Sequence, residues 1–551
     1  MTFLLYAGVV VWLTWPLARH LTTHLPGGRP DALYMAWVLA YESHALTTAP
    51  LALLDTNIFH PARRTLFYGD TGFGMLPYFL PTFVLTGNPT LAINVAFLGC
   101  IALTASALHL VVHRWTGSHL AGLVAGWTLL TRPWVLWEFI PSAPSYAVLQ
   151  YFPAIVLLAA TPERLLPLLP LVVLQCLTDV VYVAPAVLVP LGVLALGRTL
   201  RSRTRAAGLR LLTVLALALV VLAPVYLGHR AVWAANPLLQ FQSYWTSFLA
   251  PMWPTLLPSA LSHGPIAVGY APLLLIVAGA LSAARRRLRG ETEWRRRAWL
   301  HGGFWAAVGT FISMTPVVSW SGRSLRLPQY YLMQWLPIVR TVRIPERLGV
   351  AGLFGLAILV GVAFAECTRR VPDRGHIRPL ASAGMALLAM IVIYAGYGTA
   401  GGTPGRGPYP LAQAITGHSQ LIQLLRMRDG PLLELPVGTP GAEPASAAAV
   451  ADPGFHARAM YRSIFHWRPL LNGYSSYWPA GFGERMFLAS RLPDPEALAT
   501  LRHETRLETI VVHFDDLGAS ERAAWHAIAE DGRDDLALVG KDGDDLVFAV
   551  R

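Results

Sequence analysis

The chain is 551 residues long, 54% hydrophobic and only 13% charged, with a formal net charge of +12. A soluble domain carries about a quarter charged residues, so this composition excludes an ordinary soluble enzyme and points to a polytopic membrane protein. The distribution of charge also excludes a nucleic-acid partner, because the positive excess lies between apolar runs: residues 1–396 hold 29 arginines against 12 acids, and residues 397–551 hold 14 bases against 19 acids.

Much of that excess sits in three short loops, Arg198 to Arg210, Arg285 to Arg297 and Arg369 to Arg378. Arginine clusters of this kind stay cytoplasmic, since moving them across a bilayer is costly. Cys100, Cys176 and Cys367 all lie in apolar segments and read as small buried hydrophobes, with no disulfide framework or CxxC pair. Lys541 is the only lysine, a compositional bias rather than a site.

In chain order, the apolar runs predict about eleven spans, near 2–18, 90–112, 117–133, 144–160, 164–179, 181–197, 209–228, 267–284, 298–318, 347–367 and 379–397. The first lacks a basic leader and an A-x-A site, so it reads as an uncleaved span and not as a signal peptide. Residues 74–86, broken by Pro77 and Pro81, read as an interfacial segment that does not cross. A cytoplasmic N-terminus then puts all three arginine clusters inside. The loops 19–89, 229–266 and 319–346 fall outside, as does the tail. The chain thus divides into a membrane domain (1–397), a Gly/Pro-rich linker (398–410) and a small α/β extracytoplasmic domain (411–551). In the tail the pattern predicts a helix over Leu411–Met427, a strand over Leu432–Val437 and a mobile stretch over Gly438–Gly454. A strand over Leu507–Phe514, a helix over Ala519–Glu530 and a hairpin turning at Lys541-Asp542-Gly543 follow.

The first loop is where chemistry concentrates. Only 12 acids occur in residues 1–396, and four of them, Asp31, Glu42, Asp55 and Asp70, lie here. Carboxylates beside lipid are retained where water, partners or chemistry justify them. Asp31 follows the turn PGGRP and precedes a helical run, so it serves equally as a helix N-cap or as a base. Helical spacing lines up Trp37, Tyr41 and His44, which suits a helix lying on the membrane with an aromatic belt towards headgroups. Glu42 is too far along that helix to form a dyad with Asp31. His44 and His60 lack HxxxH or HExxH spacing, and no metal site is predicted.

Three strings, PDALYMAWVLAYESHAL, DTNIFHPARRTLFYGD and GNPTLAINVAFLGCIALTASALHLVVHRWTGSHLAGLVAGW, resemble the N-terminal half of bacterial GT-C superfamily membrane glycosyltransferases. The set is marked by a first-loop acidic residue and an HP-x-x-x-TL-x-Y-x-D element. RTVRIPERLGVAGLFGLAILVG, PLLELPVG and RPLLNGYSSYWP resemble its later signatures. Relatives often read Gly-Asp-Pro where this chain reads Arg29-Pro30-Asp31. The resemblance implies a GT-C-like multi-pass enzyme of the cell membrane. Such an enzyme takes sugar from a polyprenyl-phosphate carrier and passes it, with inversion, to a glycan, lipid or protein acceptor. It implies Asp31 as general base, with Asp70 at a second acidic position. No cofactor is required, and room is left for a divalent cation, Mg or Mn.

Departure of a phosphate needs fixed positive charge outside the membrane, which Arg340, Arg343 and Arg347 would supply. Their alternative is binding of ordinary lipid phosphate. Tyr68, Trp245, Asn472 and Tyr474 join Glu42, His44 and His60 as candidate substrate contacts. Trp245 equally suits an interfacial belt, and HWRPLLNGYSSYWP equally suits packing of the tail. Two rival readings are a transporter or flippase of lipid-linked glycans, which should show repeats and intramembrane charges, and a non-catalytic assembly subunit.

The topology is tested with cysteines introduced at Ser446 and Arg289. They should react from opposite sides with an impermeant thiol reagent; labelling of both from one side overturns the assignment.

Overall fold

The computed structural model describes residues 1–27, 30–132, 135–136, 148–161, 165–235, 266, 268–286, 293–314, 316–320, 323–336, 342, 345–369, 371, 377–395, 409–415, 417, 419–438 and 452–551. Long apolar runs fold as helices because only a helix satisfies its own backbone away from water. In order these are α1 (Thr2–Leu13), α2 (Pro30–Thr48), α3 (Leu76–Thr86), α4 (Pro89–Thr116), α5 (His119–Leu130), α6 (Phe152–Ala160), α7 (Leu168–Cys176), α8 (Val183–Thr199) and α9 (Arg205–Ala235). Then come α10 (Tyr270–Arg286), α11 (Glu293–Ile312), α12 (Pro328–Trp335), α13 (Val350–Thr368) and α14 (Ile377–Ala395). Among the described residues, four helical stretches are long and apolar enough to cross a membrane: Pro89–Thr116, Ser202–Ala235, Arg347–Thr368 and Arg378–Ala395. At other expected spans the helices are shorter, such as Thr2–Leu13, His119–Leu130 and Val183–Thr199. Turns break the apolar runs at these places. Helix α1, for instance, stops at Leu13 before the Trp15-Pro16 pair.

Helix α13 is the centre of the apolar half, packing on α11, α10 and α5. Its contact with α11 is backbone against backbone: a Cβ at Gly309 would strike the backbone of Ala351 and Gly352, and one at Gly355 would strike Ala306. Small residues let helices approach this closely where van der Waals packing, rather than water, drives association. At the periphery, α9 and α14 leave Leu219, Val220, Leu387 and Leu388 exposed. Such faces are tolerable against lipid tails.

Among the described residues the hydrophobic core falls into two large clusters and a small one of Phe67, Val232 and Tyr477. One joins α1 and most of α4 to the apolar helices after it. The second joins α2, α3 and the start of α4 to the tail. The tail contributes α15 (Gln420–Arg426), α16 (Pro453–Ser463), α17 (Phe482–Ser490), α18 (Pro495–Thr505) and α19 (Ala519–Asp531) around a four-stranded sheet. Eight strands are described: β1 (His24–Pro26), β2 (Val317–Trp320), β3 (Arg323–Arg326), β4 (Leu411–Gln413), β5 (Leu432–Leu435), β6 (Thr509–His513), β7 (Leu536–Asp542) and β8 (Asp545–Val550). The tail sheet has order β5-β6-β8-β7, with β5 parallel to β6 and the other pairs antiparallel. The helix expected over Leu411–Met427 is instead strand β4, paired with β1, followed by α15 capped by Ser419. Pro410 precedes the segment and Gly417 interrupts it, and β1 offers it a backbone partner.

Helix α2 does not present an aromatic belt to headgroups. Trp37 is 1% exposed, stacks on Tyr41 and donates to Asn57 Oδ1, while α16 packs across the same helix. Burial also catches Glu42, which is 0% exposed. Its Oε1 accepts from the Gly72 N–H at 3.0 Å and its Oε2 is unpartnered. Burial raises this carboxyl to about 8 against the pull of the Gly72 hydrogen bond. In the tail, by contrast, Glu434 Oε2 takes Arg462 and His513 (3.1 Å), and His513 Nδ1 lies 3.0 Å from Asp545. Burial alone would raise Glu434, but the Arg462 and His513 charges and hydrogen bonds outweigh it and hold the carboxyl well below its ordinary value.

The two buried glutamates therefore pull stability in opposite directions with pH. For Glu42 the folded value lies above the unfolded one, so its contribution is full below about 4.5 and is lost as pH rises through about 8. The rate of loss is about 1.4 kcal/mol per pH unit. Glu42→Gln should raise the melting temperature near pH 9 while changing it little near pH 5, as followed by thermal unfolding across that range; an unchanged pH profile would contradict the neutral carboxyl. For Glu434 the folded value is depressed, so its stabilisation is present above the ordinary carboxylate range and fades as pH falls below it. Glu434→Gln should cost about 3–5 kcal/mol at neutral pH, because Arg462 is left buried without its counter-charge. Chemical denaturation at neutral and acid pH checks this, the deficit shrinking on acidification.

Candidate functional site

Asp31 lies in the first turn of α2, which begins at Pro30, so it is inside the helix and not its N-cap. A carboxylate there is favoured by the exposed N–H groups of the helix start. Its Oδ1 accepts the Tyr474 hydroxyl at 2.5 Å, a bond spanning 443 positions of sequence. Tyr474 sits in the irregular segment after β5's neighbour Leu470, and its ring meets Tyr34 edge-on at 6.1 Å. Tyr34, one turn along α2 from Asp31, donates to the Asp70 carbonyl at 2.9 Å. Burial, then the charges of Asp70 and Glu42, push the Tyr34 phenol well above its ordinary value, so it remains a proton donor.

Gly69 makes this arrangement feasible: a Cβ there would collide with Ser475 Oγ and the Tyr34 hydroxyl. The HP-x-x-x-TL-x-Y-x-D segment is thereby laid against the tail, where Tyr68 C=O accepts from the Tyr477 N–H at 3.0 Å. Asp31 and Asp70, both half-buried, thus share one patch with Tyr34, Tyr474 and Ser475. Tyr68 lies beside it, its ring tilted on Phe59. Burial raises the Tyr68 phenol as well.

Other sequence candidates lie elsewhere. Asn472 is fully buried and its side chain is spent on the backbone of Glu434, accepting from the N–H at 2.8 Å and donating to the C=O at 2.9 Å. It replaces a missing sheet partner and presents no polar atom to a substrate. Glu42 is sealed in the second core cluster behind Gly72. His44 stacks on Trp467, with ring centroids 4.3 Å apart and nearly parallel planes. His60 Nε2 is 3.1 Å from the Thr505 carbonyl. Burial lowers both imidazoles, so they are neutral at pH 7. Arg340, Arg343 and Trp245 lie outside the described residues. Arg347 is buried in a short turn, Pro345–Gly349, that leads into α13, with its guanidinium 4.9 Å over the Tyr182 ring and its charge acting on Asp179.

Asp179 lies beside Arg347 in an otherwise apolar stretch. Its Oδ1 accepts the N–H groups of Val181, Tyr182 and Val183 at the start of α8, and its Oδ2 is buried. The same turn meets the first loop, since Gly74 N–H donates to Leu177 C=O at 3.0 Å. An aspartate three residues before an aromatic in an apolar run is the hint the sequence carries. Among the described residues no group of three or more His, Cys, Asp or Glu is placed to hold a metal ion.

No family model matches the chain, and no curated protein matches it. Among solved structures it is similar to a mutant of the arabinofuranosyltransferase AftD from Mycobacteria, seen by cryo-electron microscopy. The TM-score is 0.47 and the identity 17%, covering 99% of this chain and 41% of that one. The chain spans less than half the length of that protein.

Proposed function

We propose that the chain is a GT-C-like membrane glycosyltransferase that moves a sugar from a polyprenyl-phosphate carrier to an extracytoplasmic acceptor. The observation that carries this reading is the meeting of Asp31 and Asp70, drawn from the two ends of the first loop, on one patch at the junction with the tail. In an inverting transfer the acceptor oxygen bonds to the anomeric carbon as the bond to phosphate breaks. The acceptor proton passes to a carboxylate and the polyprenyl phosphate departs. Asp31 Oδ1 is held by Tyr474, which leaves Oδ2 to receive that proton. The Tyr34 and Tyr474 hydroxyls fix the geometry, and preorganised donors of this kind need no rearrangement during reaction. Arg347, steadied by Tyr182 and Asp179, supplies fixed positive charge towards the departing phosphate, and Arg340 and Arg343 belong to the same segment. The assignment of residues 1–397 to the membrane domain and 411–551 to the extracytoplasmic side goes with this reading. The scheme requires no cofactor.

Asp31→Asn keeps the shape and the Tyr474 contact but cannot take a proton. Loss of a general base costs about 10²–10⁴-fold in rate, whereas a helix-end contact is worth about 1 kcal/mol of stability. The expected result is a folded, donor-binding variant with almost no transfer from a radiolabelled polyprenyl-phosphate sugar. Wild-type turnover in this variant moves the role to Asp70, and wild-type turnover in both Asn variants rejects the reading.

A further inference from the structure

Two to three turns beyond Tyr34, α2 borders a cleft of about 310 Å³ between the first loop and the tail. Its walls carry Tyr41, His44, Asp55, Asn57, His60 and Trp467. The volume lies at the small end of the range for ligand pockets, roughly 300–1,000 Å³.

Trp467 holds a left-handed backbone conformation, φ 54°, which is rare for so bulky a residue. Such a conformation costs about 1–3 kcal/mol and persists where the surroundings impose it, characteristically at ligand sites. Here His44 stacks on the indole, Tyr41 meets it edge-on, and the Trp467 backbone N–H donates to the Ser463 carbonyl at 2.7 Å. The indole is thus clamped as a fixed wall. On the same cleft, Asp55 receives the Arg64 N–H on Oδ1 at 2.7 Å, which leaves Oδ2 for a ligand. Asn57 is fixed by Trp37 and by the Arg468 carbonyl.

Among the residues lining the cleft, Asp55 alone carries a formal charge, and both histidines are neutral at pH 7. A site with one carboxylate and no cation repels phosphate, so neither a lipid headgroup nor the donor carrier fits it. An aromatic wall and a carboxylate lining one cleft suit a neutral ring that has apolar C–H faces and hydroxyl edges. We propose that this cleft is a distal acceptor subsite that binds a neutral sugar ring of a glycan, stacked on Trp467 and hydrogen-bonded by Asp55. Its role as an acceptor subsite rests on the glycosyltransferase reading; its capacity to bind sugar does not. Asp31 and His44 are thirteen residues apart on α2, about 20 Å at 1.5 Å per residue. An acceptor touching both is therefore an oligosaccharide, not a single sugar.

The test titrates the purified full chain in detergent against neutral hexasaccharides of arabinofuranose, galactofuranose, mannose and glucose, following tryptophan fluorescence. At least one should bind. Trp467→Ala and Asp55→Asn should each weaken it about tenfold or more, equivalent to about 1.4 kcal/mol. Asp55 is exposed, so its variant decides the matter if Trp467→Ala fails to fold. The subsite is rejected if no hexasaccharide binds the wild type, if Asp55→Asn binds normally, or if inorganic phosphate displaces the sugar. Should hexasaccharide binding behave as expected while Asp31→Asn and Asp70→Asn transfer sugar normally, the glycan site stands and the catalytic reading alone falls.

Discussion

Helix α2 is buried on nearly all sides. This helix carries Asp31, Glu42 and His44, yet Trp37, Val38, Leu39 and Ala40 are enclosed between the membrane helices and the tail. A polar group removed from water must be partnered or neutralised. Each of the three finds a different answer: Asp31 takes a tyrosine hydroxyl from the tail, Glu42 binds its proton more tightly, and His44 stacks neutral on Trp467.

That constraint explains why the first loop and the tail form one hydrophobic cluster. Phe59 N–H donates to Asn472 C=O, and His60 N–H to Leu470 C=O, so loop and tail share backbone hydrogen bonds as well as apolar contacts. Thr90 at the start of α4 reaches the Tyr461 hydroxyl of α16. A patch built from both parts exists only when they are docked, and its carboxylates therefore report on the tail as much as on the loop. The Glu434, Arg462 and His513 network holds β5, α16 and β6 together beneath the segment that delivers Tyr474. Replacing one member disturbs the seam from below without touching Asp31.

The apolar half follows another rule. There close packing of small residues between α11 and α13 does the work, and the charges that remain are tied in pairs such as Arg295 with Glu366. Buried pairs of this kind resist disruption more than they add stability.

Composition and local pattern were enough to read apolar helices in the first 396 residues, an acidic first loop, and β5, β6, α19 and the β7–β8 hairpin in the tail. Hydropathy, strand alternation and a Lys-Asp-Gly turn are local signals. Helices α16 to α18 are only 9 to 11 residues long and were not legible, nor was strand β4, whose form depends on a partner nearly 390 residues away. Tertiary structure alone decided that Asp31 lies within its helix and meets Tyr474, and that Asn472 serves the backbone of Glu434. It also decided that Gly69 must lack a side chain and that Asp179 faces Arg347. The reason is physical: these pairings join residues far apart in sequence, and their energy comes from excluding water at a contact that no single segment contains.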